Sequence, residues 1–228
     1  MLQNTAAVIG ATGLVGSHIV DLLKKDNACQ KIRLLVRRPV EFSHPKLEIK
    51  LVNFALYESL KLAISGCNMV FSAVGTTQRK VKGDQLKYRK VDYEIPVNAA
   101  RACLETAGTN FLLVSSVGAD SNSKTFYLRL KGEVEEGVRK FPIESISIFR
   151  PSMLLGNRKE FRLGERTWQS GMKLIAPLLK GKWKKYKAIE AKDVAAAMVE
   201  AANQNKKGFT VYEYEEMKTL ITQSSDLL

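Results

Sequence analysis

The chain has few of the residues from which metal centres and disulfide frameworks are built. Its 228 residues include three cysteines and two histidines. Cys29, Cys67 and Cys103 are scattered, and none has the spacing of a disulfide pair or a metal site. Each lies in or beside an apolar stretch, so we expect buried, reduced thiols. With only His18 and His44 available, we expect no histidine-built metal site.

The sequence also lacks an apolar run long enough to cross a bilayer. Its first residues, Met1 to Thr5, lead directly into a strand-like segment and show no secretory signal pattern. We therefore expect a cytoplasmic protein without an integral membrane segment.

Acidic residues are scarce relative to basic ones: 23 Asp and Glu face 36 Lys and Arg, which gives a net charge of +13 at pH 7. A charge of this size attracts anions of many kinds. We favour a solvated basic surface, then an anionic small-molecule substrate, and least of all nucleic acid. Two tracts supply much of the charge: Arg79, Lys80, Lys82, Lys87, Arg89 and Lys90, and later Arg166, Lys173, Lys180, Lys182, Lys184, Lys185 and Lys187.

Short apolar runs alternate with segments of helical periodicity, which predicts an α/β fold with a doubly wound parallel sheet of the Rossmann type. We expect one domain, with a core over about residues 6–155 and an α-rich cover region over about 156–228. The predicted strands are Ala6–Ile9, Ile32–Val36, Leu47–Val52, Met69–Val74, Phe111–Ser115, Glu144–Phe149 and Phe209–Tyr214. The predicted helices are Leu14–Lys24, Leu56–Ile64, Val91–Ala107, Thr125–Arg139, Trp168–Leu179 and Ala191–Ala202, and Gly156–Gly164 is a predicted loop.

A glycine-rich turn between the first strand and the first helix is the most informative motif. It consists of Gly10, Ala11, Thr12, Gly13, Leu14, Val15 and Gly16, with the spacing G-x-x-G-x-x-G. Gly10 permits a tight turn, Gly13 lets the backbone approach a pyrophosphate, and Gly16 lets the helix pack closely on the strand. The start of the helix then presents amide hydrogens to the phosphates. This pattern predicts a dinucleotide-binding site.

The end of the second strand favours NADP(H) over NAD(H). Binders of NAD place an acidic residue there for the ribose hydroxyls, whereas arginine accommodates a 2′-phosphate. Here Arg37 and Arg38 follow the strand, and the first acid is Glu41. An exposed basic turn is the alternative explanation.

Two further segments are predicted to border the cofactor. Asn53 follows the third strand and either contacts the adenine edge or caps its own loop. Ala73, Val74, Gly75, Thr76 and Thr77 end the fourth strand at the edge of the sheet where ligands of such folds bind.

Ser115 and Ser116 end the fifth strand, and Tyr127 and Lys131 stand four residues apart on the next predicted helix, facing one side of it. An isolated phenol has a pKa of about 10, and a nearby ammonium stabilises its phenolate. A serine hydroxyl can hold the substrate oxygen while charge develops on it. On an arbitrary helix, a Y-x-x-x-K pair is usually a surface or packing feature.

The order of glycine turn, strand-end serine and Y-x-x-x-K helix resembles the short-chain dehydrogenase/reductase superfamily, over residues 6–155 above all. Three stretches resemble its atypical subgroup of Tat-interactive-protein-like oxidoreductases, whose bacterial members are often labelled nucleoside-diphosphate-sugar epimerases. These stretches are residues 113–120, 126–135 and 149–162.

The resemblance implies roles for individual residues. Tyr127 would be the general acid/base, and Lys131 would hold the nicotinamide ribose and act on Tyr127. Ser116 would polarise the substrate carbonyl, with Ser115 as the less favoured choice and a cofactor neighbour. Pro151, within Arg150-Pro151-Ser152, would flank the nicotinamide.

The expected function is NADP(H)-dependent hydride transfer to or from a small carbonyl or alcohol, by a monomer or a homodimer. The alternatives are an NADP(H)-binding sensor or regulator with little catalysis, and an epimerase-like enzyme. The short stretch after Pro151 argues against a bulky sugar-nucleotide substrate.

Overall fold

The computed structural model describes residues 4–76, 83–156 and 181–225. A seven-stranded sheet, parallel throughout, forms its centre, in the order β3-β2-β1-β4-β5-β6-β9. The strands of this sheet are β1 (Asn4–Ile9), β2 (Cys29–Val36), β3 (Leu47–Leu51), β4 (Met69–Ser72), β5 (Asn110–Val114), β6 (Ser145–Phe149) and β9 (Gly208–Tyr212). A separate pair consists of β7 (Leu154–Leu155) and β8 (Ile189–Glu190). The predicted Rossmann-type α/β fold is confirmed.

Helices cover both faces of the sheet. They are α1 (Leu14–Lys25), α2 (Tyr57–Ile64), α3 (Gln85–Arg89), α4 (Ile95–Glu105), α5 (Phe126–Arg139), α6 (Ala191–Gln204) and α7 (Tyr214–Ser225). A π-helical turn, Lys90–Glu94, joins α3 to α4, and a 3₁₀ segment spans Gly181–Tyr186. No helix in the described part of the chain is long and apolar enough to cross a membrane.

Alternate residues of each central strand enter two separate cores. In β1, Ala6 and Val8 pack with α1, α6 and α7, whereas Ala7 and Ile9 pack with α2, α4 and α5. A strand with both faces buried is apolar at successive positions, which explains the continuous apolar runs of the sequence. The three cysteines are buried and unbridged, as expected.

The strand order reverses between β1 and β4. From β1 the chain moves outward to β2 and β3, and then returns to place β4 on the other side of β1. The register pairs Ile9 with both Leu35 and Ser72, so the carboxyl ends of the three strands meet at one edge. Ligands of such sheets bind in the crevice outside this point of reversal.

The predicted helix Val91–Ala107 is the largest local error. The observed helical region begins at Gln85 and is divided by the π turn. The side chain of Asp84 accepts a hydrogen bond from the amide of Lys87 and starts the helix earlier. Pro96 has no amide hydrogen to donate to the carbonyl of Asp92, four residues before it, and a wider turn accommodates this.

The described C-terminal part adds a strand and a helix to the layers of the fold. β9 pairs with β6, and α6 packs against α1. The predicted strand Phe209–Tyr214 ends at Tyr212, and Tyr214 begins a helix that was not predicted. The predicted loop after Gly156 and the predicted helix 168–179 lie outside the described residues, as do Thr77, Arg79, Lys80, Lys82, Arg166, Lys173 and Lys180.

Candidate active site

The glycine turn closes tightly on β1 and β4. Gly10 has a φ of +84°, and a Cβ atom there would lie 2.6 Å from the carbonyl oxygen of Ala73. The amide of Gly13 donates to the carbonyl of Gly10 at 2.8 Å. A Cβ atom at Gly16 would lie 2.1 Å from that same carbonyl oxygen. Side chains at Gly10 and Gly16 are therefore excluded by backbone contacts.

The turn leaves an open cradle at the start of α1. Thr12 and Gly13 are exposed, whereas Val15 and Gly16, in the first turn of α1, are buried. The first turn of α1 contains no acidic residue, so its amide groups face no competing charge of their own helix. This cradle of bare backbone at a helix start fits the pyrophosphate of a dinucleotide.

The segment after β6 reaches back to this cradle. A Cβ atom at Gly156 would lie 2.9 Å from a methyl carbon of Leu14, the first residue of α1. The small β7–β8 sheet thus lies beside the glycine turn, and Leu14 forms part of the wall between them.

Arg37 and Arg38 directly follow β2 and are both exposed. Because β2 pairs with β1 in parallel, they leave the sheet at the same edge as Gly10. The next acidic residue, Glu41, is also exposed. Two guanidinium groups at this edge can grip a phosphate with paired hydrogen bonds.

Asn53 caps its own loop in the structure. Its Oδ1 accepts a hydrogen bond from the amide of Ala55 at 3.1 Å, and its backbone carbonyl accepts one from Leu56 at 3.0 Å. The loop-capping alternative is therefore observed. Its amide nitrogen remains a donor, and Oδ1 keeps a second lone pair, so both could contact adenine.

The segment after β4 borders both the glycine turn and the predicted catalytic helix. The amide of Ala73 donates to the carbonyl of Ile9 at 3.0 Å. Three residues on, the amide of Thr76 donates to Oδ2 of Asp92 at 2.7 Å, and the Tyr88 hydroxyl donates to the carbonyl of Thr76 at 3.2 Å. Val74 is half-buried and Gly75 exposed.

Tyr127 and Lys131 lie on the first turns of α5, with the ammonium of Lys131 5.9 Å from the centre of the Tyr127 ring. The Lys131 side chain is only 8% exposed, and its Nζ lies 3.2 Å from Oδ1 of Asp92. Burial by itself lowers the pKa of Lys131, but Tyr127 and Asp92 act in the opposite sense and outweigh it, so the pKa lies above its ordinary value. The pair therefore contains an ammonium beside a phenol.

The two serines at the end of β5 have different partners. The hydroxyl of Ser115 donates to the buried carboxylate of Glu135. Among the described residues, the hydroxyl of Ser116 has only a long contact of 3.4 Å to the carbonyl of Val117. Ser115 is thus engaged within the protein, and Ser116 is the better placed of the two to bind a substrate oxygen.

Glu135 also holds the segment that contains Pro151. Its carboxylate contacts the guanidinium of Arg150 at 2.5 Å and 3.0 Å. The carbonyl of Pro151 in turn accepts a hydrogen bond from the amide of Val117 at 3.0 Å. The ends of β5 and β6 are thereby joined beside Ser116.

Sequence reasoning missed Asp92 and Glu135, although both contact predicted site residues. Glu135 follows Tyr127 and Lys131 at the same four-residue interval, and this spacing could have revealed it. Asp92 stands four residues before Pro96, which marks a helix irregularity but not its orientation. No group of three metal-binding side chains occurs among the residues that the structure describes.

Comparison with known proteins agrees with this geometry. The model of a family described as NAD(P)H-binding matches residues 10–205. The protein named FMP52, mitochondrial, of Candida albicans is 33% identical over 88% of this chain and 89% of its own length. The protein HTATIP2 of Rattus norvegicus is 31% identical over 72% of this chain and 70% of its own length. The resemblance to Tat-interactive-protein-like proteins is confirmed.

A solved structure shows the same fold at low sequence identity. UDP-N-acetylglucosamine 4-epimerase from Bacillus cereus superposes with a TM-score of 0.68 at 19% identity, over 98% of this chain and 85% of that one. At this identity the likeness concerns the fold alone.

Proposed function

We propose that this chain, which belongs to the NAD(P)H-binding family, is an NADP(H)-dependent oxidoreductase of the short-chain dehydrogenase/reductase type. The observation that supports this most is the location of the Tyr127–Lys131 pair. Lys131 is buried against Asp92, and Asp92 binds the segment that borders the glycine turn. A proton donor and a nucleotide cradle therefore share one edge of the sheet.

In this proposal the cofactor lies along that edge. The glycine turn, from Gly10 to Gly16, holds the pyrophosphate, while Arg37 and Arg38 hold the 2′-phosphate. Asn53 lies beside the adenine and the 73–76 segment beside the middle of the cofactor. Pro151 and Ser115 flank the nicotinamide, and Lys131 binds its ribose.

The nicotinamide, when bound, supplies or accepts a hydride at the substrate carbon. Tyr127 donates a proton to the carbonyl oxygen in the direction of reduction and removes it in the direction of oxidation. The Lys131 ammonium stabilises the phenolate that this leaves behind. Ser116 donates a hydrogen bond to the substrate oxygen and holds it within reach of Tyr127.

The cofactor assignment is tested by titrating the purified protein with NADPH and with NADH, followed by cofactor fluorescence. We expect NADPH to bind more tightly. Arg37→Ala and Arg38→Ala each remove a charge-assisted contact worth about 1.5–3 kcal/mol, which is roughly a tenfold to hundredfold loss of NADPH affinity. Affinity for NADH should change little.

Arg139→Ala is the matched control, since Arg139 is an exposed arginine at the far end of α5. Equal weakening by all three substitutions would attribute the effect to net charge and remove the 2′-phosphate assignment. If neither cofactor binds, the whole proposal fails.

The catalytic assignment is tested with Tyr127→Phe in a screen of small aldehydes, ketones and alcohols, including anionic ones. We expect turnover to fall at least about 10²-fold while NADPH affinity is retained, since the phenol hydroxyl supplies the proton. Turnover that survives the substitution would contradict this mechanism. Tight cofactor binding without turnover on any carbonyl would favour the sensor alternative.

The cellular location, the oligomeric state and the division of the chain are proposed as follows. We place the protein in the cytoplasm as a monomer or homodimer, and fluorescence microscopy of tagged protein tests the location, since the fungal relatives bear the word mitochondrial in their names. The division into a core of about 6–155 and a cover of about 156–228 can be tested by limited proteolysis.

A further inference from the structure

We propose that Asp92 is a positioning residue of this site, whose carboxylate keeps the buried Lys131 in its ammonium form. The inference rests on the proposed function, because Lys131 belongs to the proposed catalytic set. Asp92 itself lies behind Lys131, and it acts through the lysine.

The geometry of Lys131 requires a counter-charge. Its side chain is 8% exposed, and that of Asp92 is 2% exposed, so both groups have lost almost all contact with water. An isolated ammonium in such a place loses its proton readily, because burial penalises the charged form. The 3.2 Å contact with Oδ1 of Asp92 supplies the opposite charge.

Asp92 is the carboxylate in direct contact with the Lys131 ammonium. The ionisable groups that act on Lys131 are Tyr127, Asp92 and Glu135. Tyr127 carries charge only as a phenolate, and Glu135 is bound by Arg150 through two guanidinium nitrogens, which neutralises much of its charge. Asp92 adds both its charge and a hydrogen bond. Asp92 is therefore the carboxylate that contributes most to keeping the proton on Lys131.

The carboxylate of Asp92 is itself held in place. Its second oxygen, Oδ2, accepts the amide hydrogen of Thr76 at 2.7 Å. Its backbone lies in the π turn that precedes Pro96, and this turn directs the side chain towards α5. The side chain of Asp92 therefore connects the segment after β4 with Lys131 of α5.

The proposal is tested by observing the protonation of Lys131 directly, in protein without cofactor or substrate. Lysine labelled with ¹³C at the ε carbon reports its protonation by NMR, and the spectrum of Lys131→Met identifies the Lys131 signal. In the wild-type protein we expect the titration midpoint of Lys131 to lie above the ordinary value for an exposed lysine. In Asp92→Asn, which keeps the shape but not the charge, we expect it to fall by at least about one pH unit.

Two variants serve as controls. Glu133 lies two residues after Lys131 on α5, and its carboxylate pairs with Arg89. Glu133→Gln removes this carboxylate and should leave the titration midpoint of Lys131 unchanged. Asp92→Glu keeps the charge and should restore a midpoint above that of Asp92→Asn. The same midpoint in the wild type, Asp92→Asn and Glu133→Gln would overturn the proposal.

The wild-type titration tests the proposal even if Asp92→Asn does not fold. A Lys131 midpoint below those of exposed lysines would overturn the proposal that Lys131 is held as an ammonium. A failure of NADPH to bind, with the expected titration intact, would reject the proposed function and leave this inference standing. The two failures are therefore distinguishable.

Discussion

Ser115 and Ser116 are neighbours in the sequence, but they differ in what their hydroxyl groups do. The Ser115 hydroxyl donates to the carboxylate of Glu135, which is buried and also binds Arg150. Within the part of the chain that the structure describes, the Ser116 hydroxyl makes only the long contact to the carbonyl of Val117. If the Ser115 hydroxyl turned towards a substrate, the buried carboxylate of Glu135 would lose a hydrogen bond.

This difference predicts opposite effects of two alanine substitutions. Ser115→Ala removes a hydrogen bond to a buried charge and should lower the free energy of unfolding by about 1–3 kcal/mol. Ser116→Ala should change it by less than about 0.5 kcal/mol, but should lower the turnover of an identified substrate by about 10²-fold or more. Urea denaturation and steady-state kinetics measure the two effects. The reverse pattern would make Ser115 the substrate-binding serine.

At the scale of elements, α5 carries most of the site on one of its faces. Tyr127, Lys131 and Glu135 recur every four residues, so they lie along one face of the helix. Gly132 lies on the same helix, and a Cβ atom there would come within 2.1 Å of the amide nitrogen of Ser121. The helix therefore approaches its preceding loop as closely as the backbone allows.

The Glu135–Arg150 pair should contribute to this docking. Glu135→Gln leaves the guanidinium of Arg150, which is 25% exposed, without its buried counter-ion. We expect the free energy of unfolding to fall by about 2 kcal/mol, less than for a fully buried pair because solvent reaches Arg150. Urea denaturation measures the change.

Glu136→Gln is the control on the same helix, since Glu136 is exposed and contacts only Ser121 among the described residues. Its substitution should change stability by less than about 0.5 kcal/mol. Equal effects of the two substitutions would show that Glu135 contributes no more than a surface carboxylate.

At the scale of the whole molecule, burial on both sheet faces makes the cysteine thiols poor acids. Desolvation raises the pKa of Cys29 to about 11 and that of Cys103 to about 12. In the unfolded chain a thiol loses its proton near its ordinary pKa of about 8.5. The unfolded state therefore binds fewer protons than the native state at alkaline pH, and stability falls as pH rises.

The expected result is a decline in the free energy of unfolding from about pH 8.5, which ends near pH 11 for Cys29 and near pH 12 for Cys103. Its slope is at most about 1.4 kcal/mol per pH unit for each buried thiol. Cys103→Ala should lower stability at pH 7 because it leaves a cavity, but it should make the alkaline decline shallower. Urea denaturation at several pH values measures both. An unchanged slope would show that Cys103 does not contribute to it.

Local patterns in the amino-acid sequence were enough to predict the fold class and to locate the glycine turn. Apolar runs that alternate with helical periodicity indicated a parallel sheet, since each signal is local and repeats along the chain. The spacing of Gly10, Gly13 and Gly16 indicated a phosphate cradle for the same reason, and the four-residue interval placed Tyr127 and Lys131 on one helical face.

Which charged groups contact the predicted site depends on how the whole chain folds. Asp92 lies 39 residues before Lys131, and Glu135 lies 20 residues after Ser115. Contacts over such distances depend on the order of the strands, which has no local signature. They also depend on the orientation of the π turn, which Pro96 alone does not reveal. Their buried charges are tolerated only because the fold brings each one to a partner.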